Sequence, residues 1–172
     1  MEENLLTNVQ QMFKEDLILL VPQISDSTHL IRLMGELAQE KGYALPTFTD
    51  GAIRREEGYP TGLSTECMNL AVPHTDACHV IHQAVVVAKL GDPVAFQAMG
   101  MEEETIWVEY VFLLMLKNDG AQVPLLQKLM NMCSDVEATA RLKAAQSAGE
   151  ILQIIQDYYK MPRKADRMVE RG

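Results

Sequence analysis

The chain has 172 residues and a mass of 19.3 kDa, enough for one ordinary domain and too little for a comfortable second. Apolar residues make up 48% and charged residues 23%, a composition that excludes general disorder. Fifteen Lys+Arg against 24 Asp+Glu give a net charge of -9, which makes nucleic acid and anionic lipid poor partners.

Asp16 to Val21 (DLILLV) predicts a short strand stopped by Pro22. Ser25-Asp26-Ser27-Thr28 then offers helix caps. Leu30, Leu33, Met34, Leu37 and Ala38 follow at helical spacing, and Gly42 stands where the helix should stop. A shorter helix is expected over Thr49 to Glu57, and a short strand over Met68 to Val72. Val80 to Leu90 is apolar on both alternating faces around Ala84–Ala88, as in a strand covered on both sides. Ile106 to Leu116 has the same character, and periodicity alone leaves a buried helix open there. Trp107 is expected to begin that buried strand and to need no further role. A helix from about Ala121 to Met132 should bury Leu126, Leu129 and Met130. Ser134 with Glu137, and Ser147 with Glu150, have capping-box spacing. Ile151, Ile154, Ile155 and Tyr158 form one apolar stripe on a last helix.

The predicted architecture is α/β, a single-domain mixed sheet flanked by helices over residues 1–159. Residues 160–172 are expected to form a polar, disordered tail. That tail holds five basic and two acidic side chains, which leaves 10 basic and 22 acidic ones in residues 1–159, a net -12. Three widely spaced cysteines, Cys67, Cys78 and Cys133, argue against a disulfide framework and a zinc ribbon. The longest apolar run, Val111 to Leu116, is too short to span a bilayer, and the acidic N-terminus lacks the basic region of a signal peptide. A reduced, cytoplasmic protein is the expectation. There is no GxGxxG and no GxxxxGK[ST], so no nucleotide cofactor is expected.

Chemistry concentrates in the middle of the chain. His74, His79 and His82 cluster, with Asp76 and Cys78 between them, and Arg54-Arg55-Glu56-Glu57 lies upstream. His74, His79 and Asp76 could be metal ligands, but strand alternation would send His74 and His79 to opposite faces, so no metal site is assigned. His29 and His82 read as structural or solvent-facing. In Ala71-Val72-Pro73-His74, proline removes a backbone donor and fixes φ, so the chain should leave the sheet and present the histidine. A neutral imidazole nitrogen placed there can act as a nucleophile and hold a covalent adduct. A phosphoryl adduct would need a positive partner, and the guanidinium of Arg55 matches phosphate oxygens bidentately.

Arg55-Glu56, Pro60-Thr61-Gly62-Leu63 and Leu70-Ala71-Val72-Pro73-His74, in that order, resemble the enzyme IIA domains of the bacterial sugar phosphotransferase system. The subgroup is the fructose- and mannitol-type superfamily, with the pattern "RE…PTG(I/L)…(I/V)PH". REEGYPTGL, the Arg55-to-His74 spacing and a second histidine at His79 look most like the galactitol-specific branch. The resemblance covers residues 14 to 159. It implies that His74 is phosphorylated, at Nε2, by the carrier protein HPr and passes the group to a cysteine of enzyme IIB. It also implies Arg55 as the phosphate clamp, Thr61, Glu56 and His79 as supporting residues, and a membrane enzyme IIC in the same system. Mannitol-type members carry a second active-site histidine where this chain has Gln122, a departure that the galactitol branch shares. An amide can donate a hydrogen bond to phosphate but supplies neither proton nor charge. The implied function is a phosphocarrier for uptake of galactitol or a related hexitol. The alternatives are a regulatory relative that signals through its phosphorylation state, and a metal-binding module.

Overall fold

The computed structural model describes residues 10–117 and 122–160. The expected 160–172 tail, past its first residue, lies outside them. Among the described residues, five strands and five helices follow one another as β1 (Phe13–Val21), α1 (Ser27–Glu40), α2 (Phe48–Gly58), β2 (Gly62–Ser64), β3 (Asn69–Ala71), β4 (Ala84–Ala98), β5 (Met101–Met115), α3 (Gln122–Cys133), α4 (Val136–Ala144) and α5 (Ala148–Lys160). A 3₁₀ turn over Ala77–His79 joins β3 to β4.

The long β4–β5 hairpin is the spine, and Gly100 turns it at φ +75°. β1 lies parallel along one side of β4, and β3 parallel along β5. β2 pairs antiparallel with β3 and touches β4 through Gly62 and Ala98. The sheet is therefore mixed, as expected. Both of its faces are covered, and each has its own core. On one side Val85, Val87, Tyr110, Phe112 and Leu114 meet buried residues of α3, α4 and α5, Leu129, Leu142 and Ile155 among them. On the other, Val86, Ala88, Leu113 and Met115 meet Leu30, Met34, Phe48 and Ala52 of α1 and α2. Burial on both faces explains why the hairpin sequence is a continuous apolar run.

Helix ends follow local chemistry. The Asp26 carboxylate accepts the His29 N–H at the start of α1. At its end, Tyr43 N–H reaches Ala38 O, Gly42 N–H reaches Gln39 O, and Gly42 takes φ +84°, a Schellman stop. Three expectations shift by a residue. Asp135, not Ser134, caps α4, because Ser134 Oγ already donates to Met130 O of the preceding helix. Tyr159, not Tyr158, completes the buried stripe of α5. On α3 the fully buried face is Leu125, Leu129, Met132 and Cys133, with Leu126 and Met130 at its half-buried margin.

Two strand expectations need larger correction. β4 begins at Ala84 rather than Val80 and continues through Gly91-Asp92-Pro93 to Ala98. A register irregularity between Lys89 and Val94 absorbs the proline, whose missing N–H would break a regular ladder. Trp107 is not buried: it is 60% exposed. Its neighbours Ile106 and Val108 point into the α1–α2 core, so Trp107 points to the opposite face, where the core on β5 begins only at Tyr110.

Candidate functional site

His74 sits at one end of the sheet, in a row that runs Phe13, Val85, Leu114, His74 across β1, β4 and β5. The chain does not leave the sheet at Pro73 as the sequence suggested. Pro73 lacks a donor but keeps its acceptor, and Leu114 N–H donates to Pro73 O at 2.9 Å. His74 thus stays bridged to Leu114 beyond the end of β3, half-buried and rigidly placed.

Its ring orientation is set from the backbone. His74 Nδ1 lies 2.9 Å from Val72 O. A carbonyl only accepts, so Nδ1 carries the proton, and the lone pair of the neutral ring falls on Nε2. Val72 is itself held, since its N–H donates to Thr61 Oγ1 at 3.1 Å. Thr61 Oγ1–H donates to Glu56 Oε2 at 2.8 Å, and Thr61 N–H to Glu56 Oε1 at 2.9 Å. A continuous hydrogen-bonded path therefore runs from Glu56 on α2, through buried Thr61 before β2 and the backbone of Val72, to the imidazole. Burial raises the Glu56 carboxyl above its ordinary value, against the two Thr61 hydrogen bonds, which lower it.

Arg55 occupies the last turn of α2. Its guanidinium lies 4.9 Å over the Tyr59 ring, and Nη1 stands 3.8 Å from Asp76 Oδ1. Arg55 Nε is buried and has no hydrogen-bond partner among the described residues. Such a donor has unmet capacity for an anionic oxygen.

His79 belongs to the scaffold of this loop. Its Nδ1 is 2.7 Å from Thr47 Oγ1 at the start of α2, and its carbonyl accepts the Leu45 N–H. Gly51 of α2 passes close by: a Cβ there would stand 3.0 Å from Thr75 Oγ1 and 3.5 Å from the His79 ring. Thr47, Gly51, Thr75 and the stacking role of Tyr59 were not anticipated; a glycine inside a helix was the one available signal of close approach. Gln122 opens α3, and its side chain lies outside the described residues. His29 is exposed and paired with Asp26, and exposed His82 meets the Tyr43 ring edge-on. Among the described residues no three His, Cys, Asp or Glu side chains gather as metal ligands. Cys67, Cys78 and Cys133 are free thiols, and burial pushes Cys133 up to about 12.

A mixed-sheet α/β domain thus pins one imidazole by its Nδ1, with an arginine paired to the aspartate two residues further on. The profile of the family described as "Phosphoenolpyruvate-dependent sugar phosphotransferase system, EIIA 2" matches residues 11–158, and the chain belongs to that family. It is thereby a phosphotransferase component of the EIIA type. The galactitol-specific EIIA component of Escherichia coli (strain K12) is 28% identical over 104 residues, covering 60% of this chain and 69% of that protein. Among solved structures, the Escherichia coli complex of enzyme IIAMTL with phosphorylated enzyme IIBMTL matches with a TM-score of 0.67 at 25% identity, covering 83% of this chain and 95% of the matched one. Nitrogen Regulatory Protein IIA-Ntr from Neisseria meningitidis matches at 0.69 and 21% identity, covering 86% and 99%, and shows the shared fold alone.

Proposed function

We propose that this protein is a histidine phosphocarrier that accepts a phosphoryl group from HPr on Nε2 of His74 and passes it to a cysteine of enzyme IIB. The observation that carries the reading is the path from Glu56 through Thr61 and Val72, which fixes the His74 ring with its lone pair on Nε2. Arg55, with a buried Nε donor that lacks a partner among the described residues, supplies positive charge for the phosphoryl oxygens. In such transfers the protein mainly orients reactants and stabilises spread negative charge. The matched complex with a phosphorylated enzyme IIB supports that acceptor class, and the galactitol-specific relative supports a hexitol system that includes a membrane enzyme IIC. The protein would act in the cytoplasm, where HPr is found.

Phosphorylation of the purified protein by HPr, read by intact mass, tests the proposal. With Gln122 in place of a second histidine, wild type should take up one phosphoryl group, acid-labile and base-stable. His74→Ala should take up none while its circular dichroism is unchanged. Two adducts, or one that persists in His74→Ala, would overturn the site. Failure of the phosphorylated protein to transfer to a cognate enzyme IIB would favour a purely signalling role.

A further inference from the structure

Asp76 stands two residues after His74 and is the carboxylate nearest to hand for the arginine beside it. Its Oδ1 lies 3.8 Å from Arg55 Nη1, with the Asp76 side chain 75% exposed and that of Arg55 39%. That separation is an ion pair and too long for a hydrogen bond. Asp76 is also fixed by its own backbone, because its carbonyl accepts the His79 N–H that opens the 3₁₀ turn. The Tyr59 ring holds the guanidinium from one face, and Asp76 draws it from the edge, while Nε keeps an unmet donor. Arg55 is therefore loosely engaged rather than saturated.

The geometry points to Asp76 as a positioning residue that sets how tightly His74 holds a phosphoryl group. The inference rests on the phosphocarrier reading above. A phosphoryl group on Nε2 offers three oxygens and a bidentate match to the guanidinium, so it competes with Asp76 for Arg55. Two contributions then oppose the phosphorylated state. The Arg55–Asp76 pair must loosen, and the displaced carboxylate remains beside a like-charged group. Both lower the affinity of His74 for the phosphoryl group and so favour onward transfer. The chemistry itself is balanced without other reactants. The donor's P–N bond breaks as the Nε2 lone pair forms the new one, and the donor nitrogen regains its pair. In the second step the P–N bond to His74 breaks as a cysteine thiolate forms a P–S bond. The proton stays on Nδ1, hydrogen-bonded to Val72 O, throughout.

The test is the equilibrium of the phosphoryl group between HPr and this protein, measured by intact mass from both directions. Asp76→Asn should shift the equilibrium toward the phosphorylated protein by about two- to five-fold, the scale of one partly exposed ion pair. Asp76→Glu should restore most of the wild-type ratio. In an Arg55→Ala background the same Asp76→Asn change should have a smaller effect, since one of its two contributions passes through the arginine. An unchanged ratio in Asp76→Asn, or a shift toward HPr, would overturn the inference while leaving the phosphocarrier reading intact. A wild-type protein that takes up no phosphoryl group would overturn both.

Discussion

Arg55 and Glu56 are adjacent in sequence yet do different work, because successive residues of a helix point about a quarter-turn apart or more. Arg55 turns toward Tyr59 and Asp76, and Glu56 toward Thr61. Arg55→Lys keeps the charge but loses both the planar stack on Tyr59 and the forked donors. Transfer from HPr should slow about ten-fold or more. Stopped reactions with phosphorylated HPr would measure it, and a wild-type rate would remove Arg55 from the clamp.

Glu56 carries a pH signature. Burial makes its folded-state carboxyl hold a proton more tightly than the unfolded chain does, whose ordinary value is 4.5. The stability from that tighter binding is complete below the unfolded value and is lost as pH rises through the higher folded one. Glu56→Gln removes the titration, and its amide oxygen can still accept the Thr61 N–H. As pH rises above 4.5 the wild type should therefore lose stability relative to Glu56→Gln, read as a falling wild-type-minus-variant difference in denaturant midpoint. Parallel profiles for the two proteins would contradict this. The motif letters were legible because each one serves a bond: glutamate holds threonine, threonine holds valine, and valine holds histidine. Asp76 was legible only as a candidate ligand, since its partner lies 21 positions away in sequence and comes close only through the fold.

At the level of elements, Gly62 explains why the Pro-Thr-Gly motif ends as it does. A Cβ on Gly62 would stand 2.6 Å from the carbonyl oxygen of Gln97, where β2 crosses the end of β4. The neighbour is backbone and cannot rotate away. Gly62→Ala should destabilise the fold by roughly 1–3 kcal/mol, the usual cost of overpacking. Because β2 follows Thr61 directly, the variant should also transfer phosphate more slowly. A thermal midpoint equal to wild type would show that β2 and β4 can separate at no cost. This three-residue strand left no pattern of its own in the sequence, since three positions are too few for alternation to register. The stripe of α5 was legible almost to the residue, whereas α1 buries Leu30, Ile31, Met34, Gly35 and Ala38 and leaves Leu33, expected on that stripe, 43% exposed. The second half of β4 was hidden by Gly91-Asp92-Pro93, which reads as a turn until a partner strand is there to carry it as an irregularity.

Across the whole molecule, the two cores were foreseeable from the doubly apolar hairpin, but their unequal extent was not. The sequence of β5 is similarly rich in large residues from Ile106 onward, and only the placement of α3, α4 and α5 decides which of them are covered. Helix positions over a sheet are settled by packing between distant segments, which local periodicity does not record. Exposure of Trp107 follows from that.

Trp107, the only tryptophan, also lies seven residues before Leu114, the partner of His74, which places it about 23 Å away along β5. Its indole is therefore a native optical probe of the far end of the hairpin. Emission from a wet indole is already red-shifted, so unfolding will change its colour little and is better followed by circular dichroism. Loading of His74 should leave the fluorescence silent, whereas acrylamide quenching would register any molecule that settles on the bare end of the sheet.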